Sequence, residues 1–296
     1  ELTLATAVGN LIRLSPRESS SQGFVSQLLD LEGLPLEVLG EQFDATWYQQ
    51  RKIFEEKSSL LYRFIADDGF VHFVDVGANV GFISILAKLA SPAIQTISFE
   101  ADPRLVELMH RNFERLGLQD MQIVNAIVGE NVCDDASFSL NPRSSLDNRV
   151  NVSGWQKTTV SMIRLDQVLR DQSIHAKTFF KIDVQGFEHS VLRGCEPWLR
   201  THRDWLMKVE FAPGLLRSQG ADPLALLAWL QDDCGFEITE LAERIPYGTS
   251  GLDALFAFPL MKNQREKFVA YVTSLNKGEL GGQVDLLIRP DLSSKK

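Results

Sequence analysis

A short apolar run followed by a glycine turn and an apolar-faced helical pattern, "HFVDVGANVGFISILAKLA" (72–90), sets the architecture of this chain. Apolar runs of this length are typical of buried strands, and the apolar spacing after the turn is that of a helix. The same order repeats in "IQTISFE", "RLVELMHRNFERLG" and "MQIVNAIV". Strands alternating with helices predict an α/β fold, with a parallel sheet covered by helices on both faces.

The alternation continues towards the C-terminus. The later strand patterns are "TFFKIDV", "WLMKVEF", "FEITEL" and "ALFAFPL", and the helical patterns are "HSVLRGCEPWLR" and "PLALLAWLQDDCG". No long helical pattern separates the last two strands, so we predict that they close the sheet as an antiparallel hairpin.

Changes of pattern divide the chain into three predicted segments. Residues 1–66 are an N-terminal arm and a helical extension, with its helix from about Ala45 to Ile65, which is a candidate cap over the site. Residues 67–261 form the α/β domain, and residues 262–296 form a C-terminal helix and tail.

Residues 129–176 interrupt the alternation, and we expect this insertion to face the substrate. Its patterns "ASFSL" and "TTVSMIRL" predict short strands around a polar loop. Insertions at the carboxyl ends of strands commonly carry substrate contacts. Arg143 and Trp155 are the candidates to orient an acceptor here, because a guanidinium and an aromatic face suit a sugar-like or aromatic group.

Composition excludes several classes of protein. The formal net charge of −9 and the absence of a strongly basic run argue against a nucleic-acid partner. The three cysteines have no close spacing, which indicates neither a zinc site nor a disulfide framework. No run approaches the roughly 18 apolar residues of a membrane span. We therefore expect a cytoplasmic protein.

The glycine turn and the acid that follows it predict a nucleoside-containing cofactor. The turn "VDVGANVGF" matches neither the G-x-G-x-x-G of dinucleotide sites nor the G-K-[ST] of phosphate loops. Gly77 permits close approach of the backbone to a ligand, and Gly81 permits close packing of the next helix. Glu100 ends the next strand, roughly 20 residues on, where a carboxylate can accept hydrogen bonds from both hydroxyls of a ribose.

The ordered set "FVDVGANVGFIS", "ISFEADP", "NAIVG", "LDQVL" and "KIDVQGFEHSVLRG" resembles the FkbM family of S-adenosyl-L-methionine (SAM)-dependent methyltransferases, over roughly residues 73–258. The resemblance implies the Rossmann-like class I methyltransferase fold, with a mostly parallel seven-stranded sheet, one antiparallel strand and helices on both faces. It also implies methyl transfer to oxygen on a small molecule or sugar, with S-adenosyl-L-homocysteine (SAH) as product. SAM carries no phosphate, which agrees with the missing phosphate fingerprints.

The resemblance places one set of residues around the cofactor. These residues are Asp75, Gly77, Ala78, Asn79, Gly81, Phe82, Glu100, Ala101, Asp102, Asn125, Ala126, Asp183 and Gln185.

The candidates for chemistry lie at the ends of two later strand patterns. A hydroxyl acceptor benefits from a general base. We rank Asp183 and Glu210 above His189, because consecutive helical residues point about 100° apart and His189 cannot easily share a cleft with Glu188. Glu188 is assigned to substrate binding, with helix capping as its alternative.

Three alternatives stay open at this point. Two carboxylates at neighbouring strand ends would suit magnesium, but no adjacent acidic pair marks the sequence, so a magnesium site is an alternative that we do not favour and no metal ligand is assigned. An N-methyltransferase would need less help from a base, although the "NPPY" or "DPPY" motif typical of many such enzymes is absent. A non-catalytic SAM-binding or partner-binding domain would not require the glycine turn, Glu100 and "KIDVQGFE" together.

Overall fold

The computed structural model describes residues 24–31, 34–41, 65–66, 68–241, 256–276, 278 and 280–291. The predicted N-terminal helix from Ala45 falls outside these residues apart from its end at Ile65. The N-terminal arm contains two strands that the sequence patterns did not predict, β1 (Phe24–Leu31) and β2 (Leu34–Glu41), which pair antiparallel with Phe24 opposite Glu41. The division of the chain into three segments stays a prediction.

Eleven further strands lie in two sheets within the described ranges. They are β3 (His72–Val76), β4 (Gln95–Glu100), β5 (Met121–Asn125), β6 (Ile127–Val128), β7 (Cys133–Leu140), β8 (Arg149–Val150), β9 (Gln156–Ile163), β10 (Thr178–Ile182), β11 (Trp205–Phe211), β12 (Phe236–Glu240) and β13 (Val284–Pro290). The main sheet has seven strands in the order β12-β13-β11-β10-β3-β4-β5. β13 pairs antiparallel with both of its neighbours and the remaining pairs are parallel, which confirms the predicted sheet.

The antiparallel strand does not come from the segment that we predicted. Residues 256–260, in the expected strand "ALFAFPL", form a turn and bends, and the Phe258 side chain is 90% exposed. The antiparallel strand is β13, in which Ile288 lies opposite Met207 on one side and Ile238 on the other. The sheet therefore includes part of the segment that was predicted to be a C-terminal helix and tail.

Helices cover both faces of the main sheet. They are α1 (Phe82–Ala90), α2 (Pro103–Arg115), α3 (Leu165–Asp171), α4 (Glu188–Thr201), α5 (Pro213–Ser218), α6 (Pro223–Ala228), which continues as a π-helical turn to Asp233, and α7 (Arg265–Ser274). Consecutive residues of β10 show the two layers. Phe179 belongs to the core that contains α1, whereas Phe180 contacts Trp198 of α4 edge-to-face on the other side. None of the helices in the described ranges has the length and apolar character needed to cross a membrane.

β6 and the insertion that follows it together form a second sheet beside the carboxyl edge of the first. Its four strands have the order β6-β9-β7-β8, and β7 pairs antiparallel with β9. This confirms the prediction of short strands around a polar loop. Ala126 alone separates β5 from β6, so one apolar stretch of chain passes from the main sheet into the second.

Gly194, within α4, packs directly against the turn that follows β6. A Cβ at this position would lie 2.1 Å from the carbonyl oxygen of Gly129. Glycine to alanine in a helix usually stabilises by roughly 0.5–1 kcal/mol, whereas forced overpacking costs roughly 1–3 kcal/mol. We expect Gly194→Ala to lower the free energy of unfolding measured by urea denaturation. A raised urea midpoint would contradict this packing.

Candidate active site

A cavity of about 610 Å³ opens at the carboxyl ends of β3, β4, β10 and β11. Its walls include the glycine turn, the end of β4, the first residues after β10, and the loop between β7 and β8. In open parallel sheets, ligands bind at this edge, where the loops that follow the strands converge. Of the predicted cofactor residues, those on the cavity wall are Gly77, Ala78, Asn79, Phe82, Glu100, Ala101, Ala126, Asp183 and Gln185.

Glycine is required at both positions of the turn, because the backbone conformation is left-handed and because a Cβ would collide with neighbouring atoms. Gly77 and Gly81 have φ of +79° and +82°, in the left-handed region that favours glycine. A Cβ on Gly77 would lie 2.0 Å from the carbonyl oxygen of Asp183. A Cβ on Gly81 would lie 2.6 Å from the Met109 side chain of α2. Gly77 thus holds the turn against the end of β10, and Gly81, which is not on the cavity wall, permits helix packing.

Glu100 ends β4 on the cavity wall with its carboxylate held by the backbone. The N–H of Asn79 donates to Oε2 (2.8 Å) and the N–H of Asp102 donates to Oε1 (2.9 Å). The residue is only 6% exposed, and burial raises the pKa of its carboxyl to about 7 against the opposing effect of these two hydrogen bonds. Each carboxylate oxygen keeps a further lone pair for a ligand, as a ribose site requires.

Asp75 lies behind the cavity wall and does not line it. Its fully buried carboxylate accepts from the Ser84 hydroxyl (2.7 Å) through Oδ2, and its Oδ1 lies 3.4 Å from Lys181 Nζ. The resemblance assigned Asp75 to the cofactor. Its observed contacts are with the protein, in a polar cluster with Ser84 and Lys181 beneath the turn.

Asp183 and Glu210 meet on the cavity wall, as their places at the ends of neighbouring strands predicted. The side-chain amide of Gln185 donates to both, at 2.9 Å from Asp183 Oδ1 and 3.2 Å from Glu210 Oε2. Gln185 adopts a φ of +53°, which is uncommon for a residue other than glycine. The turn after β10 therefore joins the two carboxyl groups through one amide.

The two carboxyl groups differ in their surroundings. Burial raises the pKa of Glu210 well above its usual range, and the nearby charges of Asp183, Glu188 and Asp285 raise it further. The Asp183 side chain is 31% exposed. A buried protonated acid can donate a hydrogen bond, and a more exposed carboxylate can accept one.

The insertion supplies the roof of the cavity and is anchored on the predicted cofactor residues. Asn79 Nδ2 donates to the carbonyl oxygen of Ser145 (3.3 Å), and Asn148 Nδ2 donates to Asp102 Oδ2 (3.0 Å). Arg143 is an exposed residue of this roof and lines the cavity, and its role towards an acceptor stays a prediction. The insertion thus closes over the site from above the glycine turn.

Like Asp75, two more of the predicted cofactor residues have protein partners and do not line the cavity. Asp102 is buried, caps α2 through its bond to the Arg104 N–H, and pairs with the Arg104 guanidinium. Asn125 donates through its side chain to the carbonyl oxygens of Glu100 (2.8 Å) and Ala101 (3.1 Å). Both residues support the strand ends that form the adenosine side of the predicted site.

Three other candidates also lie off the cavity wall. Trp155 is half-buried, with the Arg149 guanidinium 5.6 Å from its ring centre. Glu188, predicted to bind substrate, is buried and accepts from the N–H groups of Val184 (3.0 Å) and Gly186 (3.1 Å) in the turn before α4, and the N-terminus of α4 has no side-chain cap. Burial raises the pKa of Glu188 to about 7.

His189 packs edge-to-face against the Phe187 ring, and burial lowers the pKa of His189.

The cavity also contains residues that the sequence analysis did not select. Lys181 and Lys208 line the wall, as do Gln283 and Asp285 beside the start of β13. A signal for Lys181 was present, because it is a charged residue inside the apolar run "TFFKI" and shares a strand face with Asp183 two residues on. Asp285 had no such signal, since its strand was predicted to be a tail. Within the described ranges, no group of three or more His, Cys, Asp or Glu residues could hold a metal ion.

The sheet order, the single antiparallel strand and the acid at the end of the second parallel strand define a class I methyltransferase fold. Within that class, the chain belongs to the FkbM methyltransferase family, because the family model described as "Methyltransferase FkbM domain" matches residues 75–238, more than half of the chain.

Comparison with individual proteins gives more distant matches. "Methyltransferase 1" of Beauveria bassiana is 26% identical over 153 residues, which cover 44% of this chain and 59% of that protein. The chain therefore spans less than two thirds of the length of this relative. Two solved structures resemble this chain at low sequence identity. The cofactor-bound Rv0187 from MTB has 12% identity and a TM-score of 0.43, with 79% of each chain covered. The precorrin-6y C5,15-methyltransferase from Geobacter metallireducens has 11% identity and a TM-score of 0.38, with 63% of this chain and 74% of that one covered.

Proposed function

We propose that this protein transfers a methyl group from SAM to a hydroxyl of a small-molecule or saccharide acceptor. The observation that carries the proposal is the Asp183, Gln185 and Glu210 cluster, which lies in the same cavity as Glu100. One edge of the sheet thus carries both Glu100, which suits a ribose, and the carboxyl groups of Asp183 and Glu210, which suit a hydroxyl acceptor.

The residues of the cavity fit SAM or SAH. Glu100 would accept from the ribose hydroxyls, while the apolar wall that includes Ala101, Ala126 and Ile127 would hold the adenine. The charged side chains of Lys181 and Asp183 lie on the wall beside Gly77, where a zwitterionic amino-acid group would find both signs of charge. When bound, SAM supplies a methyl group activated by its sulfonium sulfur.

The acceptor hydroxyl needs a proton acceptor and a fixed position. Asp183 Oδ1 already accepts one hydrogen bond, from the Gln185 amide, and the hydroxyl proton would pass to the other oxygen, Oδ2. Burial raises the pKa of Glu210, which favours its protonated form, and in that form Glu210 would donate a hydrogen bond to a second oxygen of the acceptor. An acceptor with neighbouring oxygens, as in a sugar, satisfies both groups, and the fixed alignment lowers the entropic part of the barrier.

We expect SAM and SAH to bind, and NAD and ATP not to bind. The turn carries neither phosphate fingerprint, and a phosphate near Glu100 and Asp183 would meet negative charge. Isothermal titration calorimetry with the four ligands measures this directly. Binding of NAD with an affinity comparable to that of SAH would overturn the assignment of the cofactor.

The acceptor can be found by incubating the protein and SAM with a panel of hydroxylated and amine compounds. Mass spectrometry then detects the gain of one methyl group. A methylated hydroxyl supports the proposal. A methylated amine as the only product would replace it with N-methylation. SAH binding without any methylated product across the panel would favour a cofactor-binding domain without catalysis.

A further inference from the structure

Lys181 is a cation inside a buried strand, and it takes no part in the proton transfer proposed above. It lies in β10, all five residues of which are buried, and its side chain is 9% exposed. Its Nζ reaches the cavity wall next to the glycine turn, where it donates to the carbonyl oxygen of Gly77 (2.8 Å). A lysine is rarely buried to this degree unless it is paired.

The carboxylates around Lys181 keep it charged without using all of its hydrogens. Nζ lies 3.4 Å from Asp75 Oδ1 and 3.7 Å from Asp183 Oδ2, beyond ordinary hydrogen-bond distance. Burial by itself lowers the pKa of Lys181, but the charges of Asp75 and Asp183 outweigh burial and raise it. An ammonium has three donors, and the contact with Gly77 uses one of them.

The position of Lys181 complements that of Glu100 across the glycine turn. Glu100 accepts from the N–H of Asn79 on one side of the turn, and Lys181 donates to the carbonyl oxygen of Gly77 on the other. The two other cations on the wall are placed differently. Lys208 is held by Asp285 (2.7 Å), and Arg143 lies on the exposed roof. Lys181 is therefore the wall cation that borders the turn.

We propose that Lys181 binds the carboxylate of the amino-acid end of SAM and SAH, and so makes the site select cofactors that carry this carboxylate. The inference rests on the proposed function, because it assumes that Glu100 takes the ribose of the same ligand. A cation in a site with little exposure gives a stronger hydrogen bond to a carboxylate than a neutral donor does. Holding this end also fixes the direction in which the ligand enters the cavity.

The test compares SAM with decarboxylated SAM, which lacks only the carboxylate. In the wild-type protein, calorimetry is expected to show tighter binding of SAM. In Lys181→Met, the affinity for SAM should fall by about 10- to 150-fold, the range for a lost hydrogen bond between charged groups. The affinity for decarboxylated SAM should stay the same or rise, since the ligand is a cation and a nearby positive charge has been removed. Lys208→Met, the matched control, should keep the wild-type preference.

Lys181→Met leaves Asp75 buried without its ion pair, which can prevent folding. The double variant Asp75→Asn with Lys181→Met removes both charges and serves as the second test. The proposal is overturned if a folded variant keeps the wild-type preference for SAM over decarboxylated SAM. It is also overturned if both ligands lose affinity equally, since Lys181 would then only support the glycine turn. Failure of the wild-type protein to bind either ligand would instead overturn the proposed function itself.

Discussion

Replacing Asp183 with asparagine is expected to lower the turnover number with a hydroxyl acceptor by about 10²–10⁴-fold, the usual contribution of a general base. Asparagine keeps the shape of the side chain and its acceptor oxygen for Gln185, but it cannot take up the proton. Thermal stability should change little, because the backbone of Asp183, which packs against Gly77, is unaltered. The loss of the Asp183 charge beside the amino-acid end of the cofactor should weaken SAH binding, so turnover is compared at saturating SAM. Single-turnover kinetics with an acceptor identified by mass spectrometry measures the effect.

His189→Ala is the matched control for this experiment. His189 lies next to the same turn but off the cavity wall, so its removal should leave turnover within a few-fold of wild type. Normal turnover by Asp183→Asn, or complete loss of turnover in His189→Ala alone, would contradict the proposed role of Asp183. Loss of activity in EDTA with recovery in magnesium would also contradict it, because Asp183 would then act as a metal ligand.

Features carried by local pattern were predictable from the sequence. The strand and helix periods of "HFVDVGANVGFISILAKLA" place the glycine turn at a strand-to-helix junction, because the two periods differ and the change between them is visible. Glu100, Asp183 and Glu210 were found because each ends an apolar run, and the carboxyl ends of parallel strands share one edge of the sheet. Their observed places on the cavity wall follow from this geometry.

Features that depend on pairing over long distances were not predictable in this way. β13 has only the short apolar stretch "LLI" between Asp285 and Arg289, whereas "ALFAFPL" is apolar throughout, so pattern alone favoured the wrong segment for the place between β11 and β12. The roof contacts of Asn148 and Ser145 depend on how the loop between β7 and β8 folds back, which carries no periodic signal.

Direction of a side chain was the other limit. Gln185 and Glu188 are only three residues apart in the same motif. The Gln185 side chain lies on the cavity wall, whereas the Glu188 carboxylate accepts from the N–H groups of Val184 and Gly186. It therefore shapes the turn that presents Gln185 to the two carboxyl groups. Glu188 was assigned to substrate from its position in the motif, but it supports the cavity wall without lining it. Asp75 does the same beneath the glycine turn.

The affinity for SAH is expected to rise with pH until about pH 7 and then level off, because of Glu100. Burial gives its carboxyl a pKa of about 7 in the free protein. Ribose hydroxyls donate to the ionised form, so binding favours loss of this proton, and the affinity grows as the ionised fraction grows. About one tenth of a group with this pKa is ionised at pH 6, so the dissociation constant should be about 10-fold higher there than at pH 8. Calorimetry at several pH values measures it.

Glu100→Gln should abolish this dependence, because an amide does not titrate in the range. It should also weaken SAH binding at pH 8 by about 10- to 150-fold, since hydrogen bonds to a charged acceptor are lost.

The stability of the free protein is expected to change with pH in the opposite direction to the affinity for SAH. A carboxyl with a raised pKa in the folded state holds its proton better than the unfolded chain does, so its contribution to the stability of the free protein is lost as pH rises through about 7.

Glu210→Gln is the control for the binding experiment, because Glu210 belongs to the acceptor side and its removal should leave the pH dependence of SAH binding in place. A dependence that persists in Glu100→Gln and disappears in Glu210→Gln would show that the ribose does not bind at Glu100.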